Sequence, residues 1–240
     1  MTPADRRAVA RFDPRPTPVR RLLAALVAAT SRAVMLGLNR LEISGSEVLA
    51  SARASGRGLI TFSNHVSLFD DPFLTACLTD PHWERLRWIA ADAHNFFGNA
   101  LKAVLFNSGR CVPIVRGAGV DQPGMHFLAA RLRAGEWVHV FPEGGRTREP
   151  DSRLSLPFKT GMATLVHGAR PLMLPFLHAG MQHVLPIGAR LPRWGRTVTL
   201  RFGAIEDSAK GLADRSLEDI TRWAESTLAQ LQAGVRAGPR

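Results

Sequence analysis

The sequence predicts one α/β domain: a largely parallel, mixed sheet flanked by helices and preceded by a basic amphipathic helix. Two observations support this. Short segments rich in Val, Ile, Leu and Phe alternate along the chain with stretches of helical period, the pattern of a parallel sheet with crossover helices. In addition, 240 residues with 45% hydrophobic and 21% charged side chains describe an ordinary globular chain, and no repeat or linker follows residue 40.

Residues 1–20 hold Pro3, Pro14, Pro16 and Pro18 among arginines, a composition that builds no core and is expected to be a flexible basic lead-in. Residues 21–40 follow a helical pattern through Leu22, Leu23, Leu26, Val27, Val34, Met35 and Leu38. That helix can pack on the domain or lie at a lipid surface with Arg20, Arg21, Arg32 and Arg40 at headgroup level. Residues 41–240 form the domain proper. Within it, 58–63 is a short apolar strand, and Asp71-Pro72 is the N-cap and first position of a helix reaching about Leu78. A helix over 94–107 leads to an extended segment at 111–115. A helix over 121–134 closes at Gly135. A strand at 137–141 stops at Pro142. A helix over 158–167 precedes the apolar run 172–177 and the strand 197–202. Ser216 caps a last helix with Leu217, Ile220, Ala224, Thr227, Leu228 and Leu231 on one face.

The charge excludes indifference to acidic partners. Thirty-one basic against 20 acidic residues give +11, and only Lys102, Lys159 and Lys210 are lysines. Eight arginines against Asp5 and Asp13 put +6 of this in the first forty residues. Nucleic acid, an anionic membrane or a phosphorylated substrate would all answer such a charge. Cys77 and Cys111 form no metal-type spacing and suit a reducing compartment. The apolar run 22–38 is interrupted by Thr30-Ser31-Arg32 and falls short of the ~20 apolar residues of a membrane span. A secretory signal is disfavoured by the long, proline- and acid-containing start. The expected location is therefore peripheral, on the cytoplasmic side of a membrane.

The chain contains no G-x-S-x-G elbow, P-loop, G-x-G-x-x-G fingerprint or H-E-x-x-H pair. No metal or cofactor is expected, and His178 and His183 suit a loop or core better than a metal site. What remains is Asn64-His65-Val66-Ser67-Leu68-Phe69-Asp70. An uninterrupted helix would set His65 and Asp70 ~140° apart, so they meet only if the chain turns between them. The carboxylate would then take a proton from one imidazole nitrogen and leave the other as a base, with no serine nucleophile required. The plain alternative is a loop histidine beside a helix-start carboxylate. Phe141-Pro142-Glu143-Gly144-Gly145-Arg146-Thr147 also follows a strand, and so does Arg116. Residues after parallel strands gather at one sheet edge. A base, a carboxylate and two arginines there suit a hydroxyl substrate that carries phosphate.

These residues resemble the four ordered blocks of the glycerolipid acyltransferases, which include the 1-acylglycerol-3-phosphate acyltransferases. The blocks are N-H-x4-D at 64–70, G-x-x-x-P-I-V-R at 109–116, F-P-E-G at 141–144 and the apolar-Pro stretch Leu172-Met173-Leu174-Pro175. Within the family the chain is most similar to the tafazzin group of phospholipid–lysophospholipid transacylases, on 64–72, 109–113 and 174–186. Pro113 stands where the acylglycerolphosphate branch usually has an aromatic, whereas Gly145-Arg146-Thr147 looks more like that branch. The resemblance implies acyl transfer to a lysophospholipid hydroxyl with His65 as base, Asp70 as its orienter and no covalent intermediate. It ties Arg116, Glu143, Gly144 and Arg146 to the acceptor's glycerophosphate. Glu143 could equally be a hydrogen-bond acceptor at a turn, Pro175 is a packing residue, and Lys159 reads as a solvated helix-start lysine. The implied partners are a lysophospholipid acceptor, an acyl donor and an anionic membrane surface. Phospholipid is the first choice of donor, acyl-CoA or acyl-carrier protein the alternative. The non-enzymic alternative is a basic nucleic-acid or membrane-binding module. Nucleic acid is disfavoured by scattered arginines, no tyrosine and 7% aromatics.

Overall fold

Most of the apolar runs become strands in the computed structural model, which describes residues 1–79 and 82–236. The chain opens with helices α1 (Pro3–Ala10) and α2 (Pro18–Arg32), then strand β1 (Arg40–Ser44), helix α3 (Ser46–Ala54) and strand β2 (Leu59–Phe62). Helix α4 (Asp70–Leu78), strand β3 (Trp88–Asp92), helices α5 (Ala93–Phe97) and α6 (Ala100–Ser108), and strand β4 (Cys111–Ile114) follow. Then come α7 (Pro123–Arg133), β5 (Trp137–Val140), α8 (Gly161–Ala169) and β6 (Leu172–Ala179). The last elements are α9 (Met181–Val184), β7 (Thr197–Phe202), β8 (Glu206–Asp207), α10 (Ser208–Gly211) and α11 (Leu217–Arg236).

The sheet runs β1-β7-β6-β2-β5-β3-β4, with β8 beside β6. Strands β2 to β6 are mutually parallel, and β6 pairs antiparallel with β7 and β8. Every residue of β2 and β5 is buried, as expected where helices cover both faces of a parallel sheet. One face packs Ile60, Phe62, Val138 and Met173 against Leu128 and Leu228. The other packs Leu59, Leu174 and Phe176 against Leu74 and Leu200. Because five strands run the same way, the loops after them open on one edge. That edge holds the site.

Several expectations are corrected. Residues 1–20 are not a loose arm. Thr2 caps α1, Ala8 is buried, and Phe12 sits edge-on to Phe127 at 5.0 Å. Asn107 Nδ2 also donates to Arg11 O at 3.0 Å. The prolines begin helices instead of preventing them, as Pro3 and Pro18 occupy first-turn positions. Helix α2 continues through a π-helical turn (Ala33–Leu38) into 21 residues, Pro18–Leu38, long and apolar enough to cross a membrane by length and composition. Thr30-Ser31-Arg32 does not interrupt it, since Ser31 is buried against the domain. Ala24, Ala28, Val34 and Met35 share the buried face, towards α4 and α6, while Val19, Leu22, Leu26 and Leu36 are exposed.

The expected helix over 94–107 is two helices, because Asn99 caps α6 through the Lys102 N–H at 2.9 Å. Helix α8 starts at Gly161, not Phe158, because the Phe158 N–H goes to Glu225 and the Lys159 N–H to Pro142 O. Ser216 does cap the last helix, accepting the Asp219 N–H at 3.1 Å. The sequence pattern predicts none of the strands β1, β3 and β8 and none of the helices α3, α9 and α10. Residues 80–81 and 237–240 of the expected 41–240 unit lie outside the described residues.

Candidate active site

Strand β2 runs out at Phe62, and Ser63-Asn64 delivers His65 to the sheet edge. The chain then turns before α4 begins at Asp70, so the five-residue spacing closes. His65 Nδ1 lies 2.9 Å from Asp70 Oδ2. That oxygen also accepts the N–H groups of Val66 at 2.6 Å and Ser67 at 2.8 Å, so Asp70 holds the turn that brings it to His65. The Asp70 side chain is fully buried. A carboxylate at Nδ1 favours the tautomer with the ring proton there and turns Nε2 away from it as the acceptor nitrogen.

Asp71 is not the helix cap expected of it, since Phe69 occupies that position. Its carboxylate turns inward to Arg87, whose Nε donates at 2.6 Å and whose Nη1 reaches Gly109 O at 2.7 Å. Burial pushes this guanidinium down to about 10. The pair therefore ties the start of α4 to the segment before β4.

Strand β5 delivers Phe141, whose ring stacks on the His65 imidazole at 4.0 Å and 10°. Glu143 then bridges two loops. Its Oε1 accepts the His65 N–H and its Oε2 the Ser155 N–H, both at 2.7 Å. The Thr147 N–H returns to His65 O at 2.7 Å. Gly144 adopts φ +73°, a left-handed backbone that favours glycine. On the far side Asn64 exchanges hydrogen bonds with the His178 backbone at 2.9 and 3.1 Å. His178 Nε2 lies 3.0 Å from Asn64 O.

His65 opens onto a cavity of about 920 Å³. Its walls are mainly apolar, including Val27, Phe69, Phe106, Ile114, Met125 and Leu165, with Arg116, Gly144, Gly145 and Lys159 as polar or backbone lining. Arg116 Nε is 3.0 Å from Asp92 Oδ2, and its side chain is 63% exposed. Of the six residues expected at the site, His65, Arg116 and Gly144 line the cavity, and Asp70 and Glu143 stand behind it. Both Glu143 oxygens accept backbone N–H groups, the turn-acceptor arrangement, and Glu143 is not among the residues that line the cavity. Arg146 is half-buried outside the cavity wall. Lys159 is exposed, as its reading as a solvated lysine expects, and it also lines that wall. Neither the stacking of Phe141 nor the Asp71–Arg87 pair is marked by a local sequence pattern. The nearest signal for the buried cation is a second acid at the helix start.

A model of the Acyltransferase family matches residues 40–179, a span that contains all four blocks. The chain is 32% identical over 194 residues to the tafazzin of Drosophila melanogaster, covering 77% of this chain and 50% of that protein. It is 34% identical over 172 residues to an N-acylphosphatidylethanolamine synthase of Arabidopsis thaliana, covering 67% and 58%. The chain thus spans between half and three fifths of the length of these curated relatives. The crystal structure of the 1-acyl-sn-glycerophosphate acyltransferase of Thermotoga maritima superposes with a TM-score of 0.65 at 20% identity. The match covers 91% of this chain and 82% of that one, and it shows a shared fold.

Proposed function

The chain belongs to the acyltransferase family, and from that premise we propose that it transfers a fatty acyl chain to a lysophospholipid hydroxyl at a membrane surface. The observation that carries this reading is the His65–Asp70 pair opening onto a long apolar cavity. His65 Nε2 takes the acceptor hydroxyl's proton as the oxygen attacks the donor's ester carbonyl. The tetrahedral intermediate then expels the donor's oxygen, which receives the proton back from His65. One ester forms and one breaks, with no acyl-enzyme. Asp70 steadies the imidazolium while it exists.

Intact phospholipid as donor is supported by the likeness to the tafazzins. The apolar cavity suits the acyl chain that is transferred. Arg116 and Lys159 are the cations available to the acceptor's phosphate. The competing reading keeps the same residues and takes acyl-CoA or acyl-carrier protein as donor.

The test supplies lysophospholipid with either labelled phospholipid or labelled acyl thioester, using wild type and His65→Ala. Transfer from phospholipid without thioester, lowered ~10²–10⁴-fold in His65→Ala, is expected. Consumption of thioester alone would replace the donor. Full turnover by a folded His65→Ala protein would remove the mechanism.

A further inference from the structure

The loop 185–196, between α9 and β7, turns three large apolar side chains outward. Leu191 is 78% exposed, Trp194 73% and Ile187 45%. Arg190, Arg193 and Arg196 alternate with them and are exposed, with no acid within ion-pair distance among the described residues. No Asp or Glu occurs anywhere between Asp151 and Glu206.

The loop is pinned in this posture. Arg193 N–H donates to Val184 O at 2.7 Å and Gly195 N–H to Leu38 O at 2.9 Å. Arg196 N–H donates to Asn39 Oδ1 at 2.9 Å, and Ser67 Oγ to Leu185 O at 2.9 Å. These bonds fasten the loop to the end of the α2 helix and to the turn that carries His65. Both neighbours also expose apolar side chains, Leu36 and Leu38 on one and Leu68 and Phe69 on the other. Leu68 and Phe69 line the cavity as well.

A tryptophan and a leucine held in water between unpaired arginines have the composition of a membrane interface, where the indole sits at headgroup depth and guanidiniums meet lipid phosphates. We propose that the 185–196 loop is a lipid-contact element that seats Trp194 and Leu191 in an anionic bilayer beside the cavity. It rests on the lipid-substrate reading but makes a separate physical claim. Nucleic acid would also meet the arginines, yet it gives no burial to Leu36, Leu38, Leu68 and Phe69.

The experiment mixes the full chain with vesicles of phosphatidylglycerol and phosphatidylcholine that carry brominated acyl chains. Trp83, Trp88 and Trp137 are buried and Trp223 is half-buried against the core, so the quenching that Trp194→Phe removes is the signal of Trp194. Quenching is expected in wild type and lost in Trp194→Phe. Replacing Arg190, Arg193 and Arg196 with Gln should weaken binding to anionic vesicles roughly a hundredfold, with little change on phosphatidylcholine alone. All these side chains are exposed, so thermal unfolding should not move. Absence of vesicle binding, or equal quenching in wild type and Trp194→Phe, would overturn the proposal. Loop variants that lose oligonucleotide binding while keeping vesicle binding would overturn it in favour of nucleic acid. His65→Ala should be quenched like wild type. Lost turnover with normal quenching in the wild type would remove the acyl-transfer reading alone, and the reverse would remove this one alone.

Discussion

Glu143 is joined to His65 through the main chain: its Oε1 accepts the His65 N–H at 2.7 Å while the imidazole points elsewhere, against Asp70. The two acids thus divide the work. Asp70 sets the ring, and Glu143 sets the backbone from which the ring projects.

This division has a pH signature. Burial raises the Glu143 carboxyl from 4.5 to about 7, against the Ser155 and His65 amides that lower it and with help from the Asp70 charge. The folded chain then keeps a proton that the unfolded chain releases above its ordinary value. Stability from this group is complete below about pH 4.5 and is lost as the pH rises to about 7. Glu143→Gln cannot titrate, so its melting temperature should vary less between pH 5 and 7 than that of wild type. Parallel pH profiles for the two proteins would show that Glu143 keeps an ordinary carboxylate.

The Asp71–Arg87 pair is buried on both sides. Removing one member of such a pair strands a charge and typically costs ~3–5 kcal/mol. Asp71→Ala should therefore lose about that much in denaturant unfolding. The double variant Asp71→Leu/Arg87→Leu should recover a good part of it. A loss under ~1 kcal/mol in the single variant would place the pair effectively in solvent.

The phosphate should be felt by the cations on the cavity wall. Arg116→Ala and Lys159→Met are each expected to raise the acceptor's KM several-fold and up to about tenfold, since both side chains remain partly solvated. Arg146→Ala should leave it unchanged. Steady-state kinetics with lysophospholipid and a phosphate-free monoacylglycerol measure this. A large effect from Arg146 alone would mean that the loop after Gly144 moves on binding.

The exposed stripe of α2 tests attachment without cutting away its buried face. Leu22→Ser/Leu26→Ser should weaken vesicle co-sedimentation while melting shifts little, since surface changes usually stay within ~0.5 kcal/mol. Loss of folding would show that the stripe packs on the domain. Unchanged binding would move attachment to other elements.

The parts of the site that could be read from the sequence were those set by short spacing. H-x4-D predicts a turn between strand and helix, and the turn exists because Asp70 accepts the Val66 and Ser67 amides. The parallel run of strands predicts that the loops at His65, Arg116 and Glu143 share an edge. What escaped were contacts between residues far apart in sequence. Phe12 packing on Phe127, Arg87 meeting Asp71 across 16 residues and Glu143 reaching Ser155 leave no local periodicity.

By itself the sequence determined the fold class, the order of most elements and the His65–Asp70 pair, because hydrophobic period and turn spacing are local properties of the chain. Only the tertiary structure decided which groups face the cavity. Arg116 and Lys159 line the cavity, Arg146 does not, and Glu143 spends both oxygens on backbone N–H groups. The reason is physical: a side chain's direction at a loop is set by the non-local hydrogen bonds that close the loop, and these form only when strands distant in sequence lie side by side.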